Sequence, residues 1–528
     1  MTTTRVGGSV LLAATVCAVL WLVGAAADAR PALAPAAKST SQPTSVPAVS
    51  AERIAALISQ LGDDSAAKRQ QAARELAKIG APAISALRKA TASDDPEIAA
   101  QASALLRASL QMQAGQYLRW KVELPEGYTY RLVMAKDAAV VHRFHDDKGT
   151  LHAISLTDGK PKWEFEVGHI VTAPFVRPRP MPSPPTVESL GDILLVHEHT
   201  GEAVKPDEYT SQLIALSAAT GDVLWRRDID TSFCTYFDGE HLGYTRGFED
   251  FRLGRLSLKD GTALMEKEIP GMVVETSDGG FLHPTSRVEK GVFLASRYDS
   301  DNQSTYLAAL DFTTGEMLWE KHVDSPAGFL RKDDDSPGVL VFSHSKENML
   351  TLTTYDPRSG EEVTAVTLSK EASSLGVLRV LPKGRFLQKD RSTDAVMVHD
   401  LASGKEVWRY TPRKRDDDRP KPNMQLLRNN DIFFMPPPPT VHNGMVLLGV
   451  DDGLFALDLN TGKPLWKYPM EHHVVRNLET RGDVVYLVAR DLTDPGEGDT
   501  AKFHLHALDL TKARQLGPPE DEVVERNE

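Results

Sequence analysis

The chain has 528 residues, of which 41% are hydrophobic and 25% are charged. This balance is typical of globular proteins and argues against a disordered or fibrous chain, and the length allows more than one domain. The formal net charge of -13 argues against a general binder of the nucleic-acid backbone, because such proteins present a basic surface. We therefore expect no nucleic-acid partner.

The first 29 residues form a distinct segment. Arg5 precedes an uncharged apolar run from Val6 to Ala27, and the small residues Ala27 and Ala29 stand at cleavage spacing. This pattern predicts a secretory signal peptide over residues 1–29, and hence an exported protein of the periplasm or cell envelope. Because the run is long for a signal core, an uncleaved membrane anchor is the alternative, and it would be the only contact with a membrane.

The cysteine content is low, with only Cys17 and Cys234. Cys17 lies inside the apolar run, whereas a lipid-modified cysteine would stand at the end of the run, so we expect no lipidation. After removal of the signal peptide, Cys234 has no second cysteine in the chain with which to form a disulfide. The stability of the mature protein must therefore come from packing.

Residues 30–50 are rich in Pro, Ala, Ser and Thr and show no apolar periodicity, which predicts a disordered linker. From residue 51 to residue 115 apolar side chains recur every three or four positions, which predicts four short helices. Gly62 and Gly80 stand where helices should end, and Pro82 and Pro96 stand where helices should begin.

The helical segment contains ARELAKIGAPAISALRKATASDDPEIAAQASALL, residues 73–106, which resembles HEAT-type α-solenoid repeats. The resemblance predicts a HEAT-like helical module over residues 51–115. Two helix pairs are fewer than a free-standing solenoid requires. We therefore expect the module either to cap the neighbouring domain or to bind a partner.

One short sequence pattern recurs through the rest of the chain. Its eight copies begin at Leu151, Leu213, Leu253, Leu307, Leu352, Val396, Leu454 and Leu505. Seven copies have a glycine eight residues after the start, and five have a tryptophan four residues after that glycine. The candidate structural residues defined by this register are Gly159, Gly221, Gly261, Gly315, Gly360, Gly404 and Gly462, with Trp163, Trp225, Trp319, Trp408 and Trp466.

The seventh copy shows the repeating unit most clearly. Turn signals at Asn443-Gly444, Asp452-Gly453 and Thr461-Gly462 divide it into four predicted strands, over residues 440–442, 445–450, 454–459 and 465–468. Both faces of the third strand are apolar, so both faces of the sheet must be covered. Radial packing of such sheets as the blades of a β-propeller satisfies this requirement.

The segment ALDLNTGKPLW, residues 456–466, resembles the tryptophan-docking motif of the PQQ-like (quinoprotein-type) β-propeller repeat family. The resemblance implies a mainly-β, eight-bladed propeller over residues 116–515. It also implies that each indole lies against the turn glycine of a neighbouring blade.

The eighth copy departs from the pattern, because Ala513 and Gly517 occupy its glycine and tryptophan positions. An unassigned tryptophan, Trp120, lies in a strand-like segment before the first copy. We predict that this segment pairs with the strand around Leu508 and closes the ring, which would remove an open sheet edge. Residues 516–528 are expected to form an acidic, disordered tail.

Quinoprotein dehydrogenases share the docking motif, and their resemblance implies a site with PQQ, calcium, a catalytic aspartate and a disulfide between adjacent cysteines. This sequence has no adjacent cysteines and no segment that matches such a site. We therefore expect a non-enzymatic protein with no catalytic residues, no PQQ, no calcium and no other cofactor.

Histidines are the remaining candidates for chemistry. Two H-x-H pairs occur, His197 with His199 and His504 with His506, and the rings of each pair should share one strand face, an arrangement that can suit a metal. Each pair would need a third ligand from another blade, so we expect ordinary strand residues and no metal site. His472 and His473 follow the seventh copy, where we expect a loop.

The sequence thus favours an exported, non-catalytic protein-binding scaffold with partners among the proteins of the cell envelope. It resembles the propeller scaffold lipoproteins of the outer-membrane β-barrel assembly machinery. Two alternatives stay open, a PQQ-dependent oxidoreductase and a module that binds cell-envelope polysaccharide.

Overall fold

The computed structural model of the chain describes residues 50–125, 127–145, 148–168, 186–200, 210–230, 234–237, 240–246, 252–269, 286–299, 304–323, 328–330, 339–344, 349–368, 376–390, 393, 395–412, 437–450, 453–470, 473–491 and 502–514. The predicted signal peptide, the linker up to residue 49 and the acidic tail lie outside the described residues. The chain divides into two compact units, Met1–Arg53 and Ile54–Glu528. Within the first unit the structure describes residues 50–53.

Four α-helices precede the strands: α1 (Ala51–Ser59), α2 (Ala66–Ile79), α3 (Ile84–Ala90) and α4 (Pro96–Tyr117). The helix α4 contacts α2 and α3, and Leu76, Leu87 and Ala102 are fully buried. Gly80 ends α2 with a φ of 65° and donates its N–H to the Leu76 carbonyl oxygen. At 22 residues, α4 is longer than the predicted short helices. It passes the expected boundary at residue 115, and the HEAT-like character of the helices stays a prediction.

The start of α4 is held by the side chain of Asp95, whose Oδ1 accepts the backbone N–H groups of Glu97 at 2.9 Å and Ile98 at 3.2 Å. Ser65, the residue before α2, makes no such side-chain bond. Replacing Asp95 with alanine should lower the free energy of unfolding by about 1 kcal/mol, and Ser65→Ala should lower it much less. Chemical denaturation measures both values. Equal losses would contradict the capping role of Asp95.

The described strands form eight four-stranded antiparallel sheets. Seven of these, here called blades one to seven, are each built from four consecutive strands. Blade one comprises β2 (Tyr128–Met134), β3 (Ala138–His145), β4 (Lys148–Ser155) and β5 (Pro161–Val167), and blade two comprises β6 (Thr186–Leu190), β7 (Ile193–Thr200), β8 (Thr210–Ser217) and β9 (Val223–Asp230). Blade three comprises β10 (Cys234–Phe237), β11 (His241–Arg246), β12 (Arg252–Ser257) and β13 (Ala263–Glu268), and blade four comprises β14 (Ser286–Glu289), β15 (Val292–Asp299), β16 (Ser304–Asp311) and β17 (Met317–Val323).

Blades five to seven follow the same order of strands. Blade five comprises β18 (Gly328–Leu330), β19 (Val339–His344), β20 (Leu350–Tyr355) and β21 (Glu362–Thr367). Blade six comprises β22 (Gly376–Leu381), β23 (Arg385–Lys389), β24 (Val396–Asp400) and β25 (Glu406–Tyr410). Blade seven comprises β26 (Thr440–His442), β27 (Met445–Val450), β28 (Gly453–Asp458) and β29 (Pro464–Pro469). In each blade the last strand forms one edge of the sheet. We call this strand the outermost one, since its side chains are largely exposed in β13 and β21.

The remaining sheet, here called the composite sheet, joins the two ends of the strand region. It consists of β30 (His473–Arg481), β31 (Val484–Asp491), β32 (Phe503–Asp509) and β1 (Leu118–Glu123). The strand β1 pairs antiparallel with β32, with Trp120 opposite Ala507 and Leu118 opposite Leu508. The predicted pairing of the strand around Trp120 with the strand around Leu508 is confirmed.

This topology corrects the predicted fold of eight blades. Seven blades are contiguous repeats, and the eighth copy of the pattern does not build a blade of its own. After β32 the chain enters a short helix, α5 (Leu510–Ala513), where the other copies turn into an outermost strand. The physical reason is that Ala513 replaces the turn glycine, whose left-handed backbone conformation alanine disfavours. The Asp509 carboxylate caps the helix by accepting the N–H groups of Thr511 and Lys512, but Asp458 accepts the equivalent bonds in the seventh copy, so the aspartate is common to both outcomes.

The composite sheet lies between blades seven and one, since β30 contacts both β26 and β2. It therefore connects the last contiguous blade to the first. Arg119 on β1 strengthens the closure through a salt bridge of 3.0 Å to Asp509 at the end of β32. The fold is a mainly-β propeller of seven contiguous blades completed by this sheet.

Both faces of a blade are buried, as β28 of blade seven shows. Phe455 and Leu457 belong to a core cluster shared with blade six, whereas Leu454 and Ala456 belong to a cluster shared with the composite sheet. Successive side chains of a strand point to opposite faces, so an unbroken apolar run covers both neighbours. This explains why the repeat is apolar at adjacent positions.

The turn after β28 explains the polar half of the repeated sequence. The Asp458 carboxylate accepts the N–H and the hydroxyl of Thr461, each at 2.8 Å. The next residue, Gly462, donates its N–H to the Asp458 carbonyl oxygen at 2.8 Å. Asp458 and Thr461 thus stabilise the turn that places Gly462 at the surface of the blade.

The helix α4 also packs on the strand region, where it contacts α5, β29 and β1. The helices therefore contact the point at which the composite sheet meets blade seven. Among the described helices, none combines the length and the apolar character needed to span a membrane.

Candidate functional site

Tryptophan side chains connect neighbouring sheets. Trp163 on β5 of blade one donates its indole N–H to the Ala218 carbonyl oxygen of blade two at 3.2 Å. The equivalent bonds run from Trp225 to Leu258 at 2.9 Å, from Trp319 to Pro357 at 2.9 Å, from Trp408 to Leu459 at 3.0 Å and from Trp120 to Leu156 at 3.1 Å. Each bond attaches the outermost strand of one sheet to a turn of the next.

The same indoles lie against the turn glycines. A Cβ atom added to Gly462 would stand 2.6 Å from ring atoms of Trp408, and the φ of Gly462 is 68°. Glycine is therefore required at position 462 for two reasons: its backbone conformation and the space that it leaves for the indole. The other glycines that face an indole in this way are Gly159, Gly221, Gly261 and Gly360.

Two turn glycines face other side chains. Gly315 lies against Lys267, whose Cδ would be 2.8 Å from an added Cβ, and Gly404 lies against Val366 and Leu368 at 3.4 Å. In both cases the preceding copy of the repeat lacks its tryptophan. The aliphatic parts of these side chains occupy the place of the ring.

Trp466 also differs from the other tryptophans. Its side chain is fully buried, and among the described residues its Nε1 has no hydrogen-bond partner. It packs in one core cluster with Leu510 and Ala513 of α5. The indole that faces the composite sheet is therefore held by packing alone.

A cluster of titratable side chains lies on the composite sheet. His473 on β30, Asp491 on β31 and His504 on β32 place one ligand atom each within 4.8 Å of one another. His506 adds a third imidazole, with ring centroids 6.1 Å from His504 and 6.2 Å from His473. We call these four residues the histidine cluster.

Burial governs the charge of the histidine cluster. It lowers the pKa of His506 well below the ordinary value, so this ring is neutral. Burial, and then the charges of Lys121 and His473, also lower the pKa of His504, whereas Asp491 and Glu123 act in the opposite direction. Neutral imidazoles keep a nitrogen lone pair available for a ligand.

The H-x-H pair is visible in the sequence, but the cluster is not. We expected no metal site, because a third ligand would have to come from another blade, whereas His473 and Asp491 come from two other strands of the same sheet. His473 begins a strand and does not lie in a loop; His472 lies outside the described residues. In the other pair, His197 is buried, and the part of the chain that the structure describes shows no comparable group of ligands around it.

A family model described as outer membrane protein assembly factor BamB matches residues 113–231, 191–329 and 396–516, together more than half of the chain. The chain belongs to this family. The prediction of a PQQ-like β-propeller is thereby confirmed. The matched ranges of this BamB-family chain begin within α4 and extend past α5.

Several solved structures resemble this BamB-family chain. BamB from Moraxella catarrhalis is 12% identical, with 74% of this chain and 99% of that chain covered and a TM-score of 0.42. The computationally designed protein Ika8 is 11% identical, with coverages of 74% and 99% and a TM-score of 0.46. The Dos1 propeller is 8% identical, with coverages of 75% and 96% and a TM-score of 0.46. No curated protein matches the chain.

Proposed function

We propose that this chain is an exported, non-catalytic protein-binding scaffold that contributes to the assembly of outer-membrane proteins. The observation that carries the proposal is the match of more than half of the chain to the family of outer membrane protein assembly factor BamB. The predicted signal peptide over residues 1–29 supports export to the envelope. The partners are then other proteins of the envelope.

The structure offers a rigid framework for such contacts. Indole bonds and apolar clusters fix neighbouring sheets against each other, so the outermost strands of the blades are held in place. Apolar side chains remain exposed on the outermost strands of blades two to six, namely Val223, Leu224, Leu264, Met317, Leu318, Val363 and Val407. Exposed apolar groups on a sheet edge suit contact with another protein chain.

Loss of the protein from its native cell should lower the amount of folded β-barrel protein in the outer membrane, because a scaffold of the assembly process would be missing. The heat-dependent change in the electrophoretic mobility of β-barrel proteins measures the folded amount. The full-length gene should restore it, and a version lacking residues 1–29 should not, because it would not be exported. Unchanged β-barrel levels after deletion would contradict the proposed role in assembly.

The two alternative functions have their own measurements. Dye reduction by the purified protein supplied with PQQ and calcium would contradict a non-catalytic role. Retention of the purified protein on isolated envelope polysaccharide, at salt concentrations that abolish non-specific binding, would favour a carbohydrate-binding module. A protein scaffold should show neither behaviour.

A further inference from the structure

The histidine cluster takes one side chain from each of three adjacent strands. His473 lies directly opposite Asp491 in the pairing of β30 with β31. On the next strand, His504 lies opposite Ala489, two residues from Asp491 on the same face of β31. The register of the sheet therefore brings two imidazoles and a carboxylate together, although they are far apart in sequence.

His506 gives a second, independent observation. It is 5% exposed, and among the described residues neither of its ring nitrogens has a hydrogen-bond partner. The buried Nδ1 of His504 likewise has none. Buried polar atoms normally find a partner, so unpartnered nitrogens on and next to the group formed by His473, Asp491 and His504 point to ligand binding there.

We propose that His473, Asp491 and His504 bind a divalent transition-metal ion, best matched by Zn²⁺, with His506 as the fourth ligand. Imidazole nitrogens and a carboxylate oxygen are donors that Zn²⁺ takes in proteins. A tetrahedral site with bonds of about 2.0–2.1 Å needs donor atoms about 3.4 Å apart. Since the three donors already lie within 4.8 Å, side-chain rotations complete the site without a change of strand register.

A metal at this position would join β30, β31 and β32, the three strands that bring the C-terminal end of the strand region beside β1. Because the ligands come together only in the folded sheet, the ion would bind the folded chain and raise its stability. The surrounding charges are mixed. Glu123, opposite His504 on β1, favours a cation, and Lys121, opposite His506, disfavours one.

The experiment uses the full chain, purified without a polyhistidine tag and stripped of metal with a chelator. After dialysis against Zn²⁺, mass spectrometry should find one ion per wild-type chain, and Co²⁺ in its place should give the strong visible absorption of a tetrahedral site. His504→Ala and Asp491→Asn should each weaken Zn²⁺ binding by about tenfold or more and abolish the Co²⁺ spectrum.

The matched control is His322→Ala, which removes an exposed histidine from β17 of blade four and should bind Zn²⁺ like the wild type. If His504→Ala does not fold, His473→Gln tests the same site at the half-buried start of β30. A wild-type chain that takes up no Zn²⁺ overturns the proposal. Binding that is equal in the wild type and the ligand variants also overturns it, because the ion would then sit elsewhere.

Discussion

Replacing Trp466 with alanine is expected to lower the free energy of unfolding by about 3–5 kcal/mol, the cost of emptying a large buried site. The Trp466 side chain is fully buried between blade seven and the composite sheet, in contact with a cluster that includes Leu510 and Ala513 of α5. Removal of the indole would leave a cavity where the contiguous blades meet the sheet that closes them. Chemical denaturation monitored by circular dichroism measures the loss.

A second pair of substitutions separates packing from hydrogen bonding at the tryptophans. Trp225 donates its N–H to the Leu258 carbonyl oxygen at 2.9 Å, whereas the Trp466 Nε1 has no partner among the described residues. Both Trp225→Phe and Trp466→Phe reduce side-chain volume, but only the first removes a hydrogen bond. We expect Trp225→Phe to cost about 1 kcal/mol more. A larger loss for Trp466→Phe would contradict the view that packing alone holds that ring.

The strands of a blade could be predicted from sequence because local signals set their ends. In blade seven the predicted strand over residues 454–459 is observed as Gly453–Asp458, and the first two predicted strands have the observed bounds. Turn glycines and the short apolar runs between them act within a few positions along the chain, so one sequence contains the necessary information. The pairing of β1 with β32 was predictable for a related reason. The eighth copy of the pattern lacks the residues of an outermost strand, and the strand around Trp120 belongs to no copy.

The end of the repeat could not be predicted in the same way. The eighth copy preserves the apolar residues of β32, but Ala513 stands in the glycine position and a helical turn forms there. The chain therefore leaves the sheet before it can form a fourth strand of its own. The sequence contains eight copies of the pattern, whereas the number of contiguous blades depends on whether the turn of each copy can form.

The histidine cluster could not be predicted for a different reason. The H-x-H spacing shows that His504 and His506 share a face, but the positions opposite them depend on the register of three strands. A shift of one residue in β31 would turn Asp491 to the other face. The residues between β31 and β32 include Pro495, Gly496 and Gly498, which predict a turn but do not fix the register of the strands on either side. Tertiary packing decides that register.

Replacing Gly462 with alanine is the second large effect that the structure predicts, with an expected loss of about 2–5 kcal/mol in the free energy of unfolding. Two costs add: about 1–2 kcal/mol for a side chain at a left-handed backbone position and about 1–3 kcal/mol for the collision with Trp408. The two costs are distinguishable within blade seven. Gly444 has a φ of 74°, but a Cβ there would meet nothing within 4 Å.

Gly444→Ala should therefore carry only the backbone cost, and chemical denaturation of both variants gives the difference as the cost of the collision. A double-mutant cycle then assigns that difference to the indole. In a Trp408→Ala background the ring is gone, so Gly462→Ala should cost no more than Gly444→Ala does in the wild type. If the extra loss at Gly462 persisted without the indole, close approach of Trp408 could not be the reason for glycine at this turn. The repeated glycine would then reflect backbone conformation alone.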